Sequence, residues 1–156
     1  MKKFNWFCML IVSIIFAAGC GNEHNLHFAQ GTVLIDGKPE ADVSVTFIPA
    51  ESGTGLGAGG TTDTEGKFLL SSTLGKGGDG TQPGLYKVIF SKLAPEREPT
   101  EAEKARFEKD PDDKVFIPLI DLLPAKYTSP KTTDIEAEIT AGGPNTFVFE
   151  LKSKTK

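Results

Sequence analysis

The chain has 156 residues and a formal net charge of −4. That length fits one domain with a real core, and the acidic balance gives no electrostatic case for binding nucleic acid. Both cysteines, Cys8 and Cys20, fall within the first 20 residues, which leaves no pair to staple a folded domain.

Taken in chain order, Lys2 and Lys3 precede an apolar run over residues 7–18 that only Ser13 interrupts. The run is too short to cross a bilayer, which needs about 20 apolar residues. With the small residues Ala17, Ala18 and Gly19 behind it, it has the layout of a secretory signal over residues 1–19. Cys20 follows directly, and Ala17-Ala18-Gly19-Cys20 resembles the bacterial lipobox. The resemblance implies a diacylglyceryl group on the Cys20 thiol, cleavage before Cys20 and acylation of the new amino group. Two or more acyl chains anchor stably where one does not. The alternative is ordinary signal cleavage nearby, with Cys20 left as a free thiol. Loss of Lys2 and Lys3 would make the mature chain more acidic. Residues 20–27 read as a polar tether. Gly21 is not the Asp associated with inner-membrane retention, so the expected location is the cell envelope, at the outer membrane or its periplasmic face.

Residues 28–156 read as short strands between turns. Residues 28–35 are strand-like and end at Asp36-Gly37, a favoured two-residue hairpin turn. Val43-Ser44-Val45-Thr46-Phe47 alternates apolar and polar, so one face can be buried. Residues 51–60 and 75–84 are Gly-rich and read as loops. Glu65-Gly66 marks a turn between strands at 61–63 and 67–71. Residues 85–91 are strand-like, with Tyr86, Val88 and Phe90 on one face. Ile135, Ala137 and Ile139 alternate with polar residues, as do Phe147, Phe149 and Leu151 beyond the turn at Gly142-Gly143-Pro144-Asn145, which predicts an antiparallel pair.

Residues 92–127 break the pattern and read as an insertion that packs across a sheet edge. Thr100 and Glu103 have capping-box spacing, residues 101–109 are good helix formers, and Asp110-Pro111 ends the segment. Pro118 argues against a long central strand over 115–123. About seven strands and one short helix predict an all-β antiparallel sandwich. Its expected core is Val33, Ile35, Val43, Val45, Phe47, Phe68, Leu70, Tyr86, Val88, Phe90, Ile135, Ile139, Phe147 and Phe149.

Three pieces together resemble the carboxypeptidase regulatory-like domains: Gly31-Thr32-Val33 with Asp36-Gly37-Lys38-Pro39, then Thr62-Asp63-Thr64-Glu65-Gly66-Lys67-Phe68, then Pro83-Gly84-Leu85-Tyr86-Lys87-Val88. The match covers roughly 28–91, more loosely 133–151. Pro124-Ala125-Lys126-Tyr127 and Gly143-Pro144-Asn145 are similar to small lipoproteins of this type in planctomycete-like bacteria. The resemblance implies a transthyretin-like or Ig-like sandwich that does no chemistry itself.

Residues able to carry chemistry are sparse. His24 and His27, in the tether, have no zinc-peptidase spacing. The C-terminus lacks the tetrapeptide of transthyretin-like purine hydrolases. Ser44, Ser52, Ser71 and Ser72 have no histidine within residues 28–156 to activate them. The Gly-rich stretches lack the P-loop ending. Asp110, Asp112 and Asp113 could approach a calcium ion, but a solvated helix end is the expectation. Asp63 and Asp79 suit turns. Asn145 with Lys87 or Lys67 could in principle close an isopeptide bond, though nothing singles out a pair. The expectation is a lipid-anchored envelope binding or scaffold module with no catalytic, cofactor or metal site and an envelope protein or glycan as partner. The alternative is a carbohydrate-binding surface domain.

Overall fold

The computed structural model describes residues 25–51, 55–73, 77–110 and 116–154. Cys20, His24, Ser52, Asp112 and Asp113 lie outside them. Alternating sequence gives strands where expected at β1 (Ala29–Ile35), β3 (Ser44–Pro49), β5 (Lys67–Leu69), β7 (Gly84–Ser91), β10 (Glu136–Ile139) and β11 (Asn145–Leu151); β2 (Lys38–Pro39), β6 (Ser71–Ser72) and, within the insertion, β8 (Leu93–Pro95) and β9 (Leu119–Asp121) are additional, and β4 (Ala58–Thr61) corrects the reading of residues 58–60 as loop. Helix α1 spans Glu101–Lys109, and a single 3-10 turn covers Ala125–Tyr127.

The strands form two main sheets, as an all-β sandwich requires. In the first, β11 lies on one side of β1, and β2 and β5 lie on the other. The second runs β10-β7-β3-β4-β6 and is antiparallel throughout. Seven strands of three or more residues build these sheets among the described residues. A separate ribbon pairs β8 with β9.

Two expectations about pairing are corrected. Residues 135–139 and 145–151 do not pair with each other: β10 joins β7, and β11 joins β1 in parallel, with Ala29 opposite Asn145 and Ile35 opposite Leu151. The five residues between β10 and β11 cross from one sheet to the other. The turn at Glu65-Gly66 likewise connects strands of different sheets, β4 and β5, rather than closing a hairpin. The crossing requires close approach. A Cβ on Gly60 would lie 2.3 Å from the Leu69 carbonyl oxygen, so glycine lets β4 pass against β5.

The turn chemistry follows the sequence. Asp36 and Gly37 have φ of 51° and 78°, and Ile35 faces Lys38, which makes the two-residue hairpin with both central residues left-handed. Asp63 accepts on Oδ1 from the backbone N–H of Glu65 and Lys67, and Asp79 accepts from that of Ser72. The Asp63 bonds are a local side-chain turn of the kind Asp favours, whereas Asp79 reaches back seven residues across the loop.

The core lies between the sheets. Of the expected residues, Ile35, Ile135 and Phe147 are partly buried against it, and the others are buried. Ala29, Ala58, Leu123, Tyr127, Ala137 and Leu151 join them. The Phe149 ring sits 5.1 Å from Phe90, 5.8 Å from Phe147, 6.1 Å from Phe68 and 6.2 Å from Phe47. Such tilted and offset ring pairs each add about 0.5–1.5 kcal/mol beyond buried area. The last strand thus supplies the ring that links residues of both sheets.

Candidate binding surfaces

The strand directions give the sandwich two distinct ends. At the first, His27 pairs with Thr81: its N–H donates to the Thr81 carbonyl at 2.8 Å and its carbonyl accepts from the Thr81 N–H at 3.1 Å. Gly80 donates to Leu70, Thr73 to Gly57 and Ala50 to Leu85 at this end, fixing the described flanks of the segments that join β3 to β4 and β6 to β7. The turn before Asn145 lies here too, since Asn145 faces Ala29. The N-terminal segment and both Gly-rich loops therefore share one end. His27, read as tether, is thus part of the fold, and its Nε2 is buried with no hydrogen-bond partner.

At the opposite end stand the Asp36-Gly37 turn, the residues after β11 and the base of the insertion. Asp36 donates through its backbone N–H to the Leu151 carbonyl, and the Ser153 N–H approaches the Asp36 carboxylate, which holds that carboxyl below its ordinary range. Asp121 organises the insertion's base. Its carboxylate accepts from the Ser91 hydroxyl at 2.6 Å and from the backbone N–H of Leu123 at 2.9 Å and Lys92 at 3.2 Å. Lys92 pairs with Glu40 and donates to the Ala41 carbonyl at 3.0 Å.

Beyond this base the insertion is an arm. β8 and β9 form its stem, with α1 between them. The expectation that the insertion packs across a sheet edge holds only for its return limb, where Leu123 and Tyr127 enter the core and the Tyr127 hydroxyl accepts from the Lys152 N–H. α1 buries none of its residues. The capping box is formed: Glu103 N–H donates to the Thr100 hydroxyl, and Thr100 N–H donates to the Glu103 carboxylate at 2.7 Å. Arg97 grips the same carboxylate with two bonds of 2.7 Å. That bidentate pair, with the Thr100 bond, pulls the Glu103 carboxyl down to about 2. The arm exposes apolar side chains: Leu93, opposite Asp121, and Leu119, opposite Pro95, are 60% and 61% exposed, and Phe116, before β9, is 86% exposed.

A groove of about 680 Å³ runs along the outer side of the first sheet, over Gln30, Thr32, Thr61, Lys67, Leu69 and Thr146. Asp63 lines it with the carboxylate oxygen already engaged by the turn. The groove offers hydroxyls, an amide and a lysine around an apolar Leu69. Its one aromatic residue, Phe68, is 2% exposed.

The structure disperses the candidate reactive residues. Ser44 lies exposed in β3, the Ser71 hydroxyl accepts from the Gly78 N–H, and the Ser72 hydroxyl is buried without a partner. Asn145 is committed to structure: its oxygen accepts from the Thr140 N–H, and its nitrogen donates to the carbonyls of Phe28 and Thr140. Lys67 pairs with Glu65, and Lys87 donates to the Pro130 carbonyl, so neither is engaged with Asn145. Among the described residues no three His, Cys, Asp or Glu side chains are grouped to hold a metal ion. Sequence reasoning gave no sign that Thr62, Thr81, Thr133 and Asn145 would be interior; a Thr or Asn beside a turn does not announce its burial. Comparison of the chain with protein-family models, with curated proteins and with solved structures found no match.

Proposed function

We propose that the chain is an exported lipoprotein held in the cell envelope by lipid on Cys20, with the sandwich serving as a binding or scaffold module that does no chemistry. The observation that carries this reading is the polarity of the fold. The chain enters at the end opposite the arm, so a lipid there leaves the arm and both sheet faces accessible. From Cys20 to Asn25 is five residues, which span at most about 17 Å. An anchor that short keeps the Gly-rich loops near the bilayer and turns the arm outward. The signal-like N-terminus, the lipobox resemblance and the resemblance of residues 28–91 to carboxypeptidase regulatory-like domains all support it.

The second reading, carbohydrate binding, is favoured by the groove, whose Gln30, Thr32, Thr61 and Thr146 suit a neutral hydroxylated ligand. The groove's one ring, Phe68, is buried and cannot stack a sugar, which keeps this reading second.

The test is the intact mass of protein extracted from host membranes, beside a Cys20→Ala form. The expected result is a chain that begins at Cys20 and carries two or three acyl chains, with the variant unlipidated. An unmodified mass, with both forms released as soluble protein, rejects the anchor.

A further inference from the structure

The groove over the first sheet does not end at Gln30 and Thr146. Those two residues also border a second hollow of about 390 Å³, which His27, Phe28 and Pro144 line at the N-terminal end of the sandwich. The two hollows therefore run into each other along β1. Ala29, Gly31 and Val33 are buried, so Phe28, Gln30 and Thr32 take the outward positions of this segment. In register, Gln30 stands between Leu69 of β5 and Thr146 of β11, and Thr32 stands between Lys67 and Val148. From Phe28 to Thr32 is about 13 Å of extended chain.

Three features of the joined floor select its occupant. The polar side chains are uncommitted: among the described residues, no hydrogen bond to another protein group engages the side chains of Gln30, Thr32, Thr61 or Thr146. Each of these amide and hydroxyl groups can both donate and accept. The two charged side chains of the groove already have partners, Asp63 in two backbone N–H groups and Lys67 in Glu65. The backbone beneath is paired as well. β1 bonds to β11 on one side and to β5 on the other, so the floor has no free strand edge to take up an extended peptide. At the N-terminal end the Phe28 side chain is 53% exposed and offers an apolar surface beside these groups.

We propose that the two hollows form one cleft for a short uncharged oligosaccharide, with Phe28 as the platform for one sugar ring and with Gln30 and Thr146 at the centre of the bound chain. Sugar hydroxyls donate and accept as the cleft's own groups do, and the C–H face of a sugar ring can cover a phenyl ring. The ring that the groove lacks is thus supplied by the neighbouring hollow. An anionic glycan would have to take Lys67 from Glu65. This assignment rests on the carbohydrate-binding reading above and adds to it a stacking residue and the charge class of the ligand.

The test is a nuclear magnetic resonance titration of the full chain in phosphocholine micelles with cellohexaose, mannohexaose and N-acetylchitohexaose, with hexagalacturonate as the charged control. The expected result is saturable shifts of the Phe28, Gln30 and Thr146 amides with at least one neutral sugar and none with hexagalacturonate. Phe28→Ala and Gln30→Ala are each expected to weaken that binding about tenfold. Phe28→Trp is expected to retain it, and Leu85→Lys on the other sheet to leave it unchanged. Phe28 and Gln30 are both exposed, so neither alanine form reaches the core, and unchanged β3 amides report that each form is folded. Binding that neither alanine form weakens overturns this cleft, while the carbohydrate-binding reading stands. No binding of any neutral sugar overturns both. Preference for hexagalacturonate overturns the uncharged class and the proposal with it. Contacts from the Phe28 ring to detergent instead of sugar assign the ring to the membrane and overturn it too.

Discussion

Thr62 ties the second sheet's end to the start of β3 through one hydroxyl. The oxygen accepts from the Val43 N–H at 2.9 Å and donates to the Glu40 carbonyl at 2.7 Å, and the residue is 3% exposed. Thr62→Val keeps the shape and leaves two interior backbone groups unpaired. The expected cost is about 1–3 kcal/mol in chemical denaturation, with Thr62→Ser near wild type; an unchanged Thr62→Val would show that water replaces the hydroxyl. At this scale the sequence is legible wherever chemistry is local. Asp36-Gly37 adopts its left-handed turn because few other pairs can, and Asp63 bonds residues two and four further on. Thr62 was not legible, because its partners come from 19 and 22 residues away.

Among the elements, α1 buries none of its residues and only Glu103 and Phe107 are partly covered. A nine-residue helix is marginal alone, so its capping box and the Arg97 pair must hold it. Glu103 has its carboxyl lowered from 4.5 to about 2 in the folded arm. A depressed folded value means the stabilisation is fully present above pH 4.5 and is lost as pH falls through about 2. Nuclear magnetic resonance titration is therefore expected to show the Thr100 amide shifting with a midpoint near 2, together with loss of helical shifts over residues 101–109. A midpoint near 4.5 would mean the Arg97 contact does not form in solution. The sandwich itself is expected to unfold independently of this event, since no residue of α1 enters the core. The helix was legible from Thr100 and Glu103. Its lack of packing was not, because Ala102, Ala105 and Phe107 make no clear stripe to signal a docked or an undocked face.

Over the whole molecule, the separation of the two ends is what a membrane experiment can read. With the lipidated protein in vesicles, a fluorophore on Pro83→Cys at the N-terminal end is expected to be quenched by nitroxide headgroups, and one on Leu119→Cys in the arm is not. Equal quenching would mean that the sandwich lies flat on the bilayer. The fold class was readable from alternation, since Val43, Val45 and Phe47 can share a buried face only in a strand. Sheet membership was not, because alternation reports which face of a strand is buried and says nothing about its neighbour. Ile139 and Phe147 are close in sequence and both turn inward, yet they come from opposite sheets.

The parallel union of β1 with β11 bears on when this chain can become a folded object at all. The first strand's neighbour is the last one, 116 residues further along. Until that final segment has left the ribosome, Val33 and Phe68 lack the Phe149 ring that completes their core. Long-range closure of this kind is slow. A nascent copy therefore cannot close its first sheet until β11 has been made, however early β1 emerges.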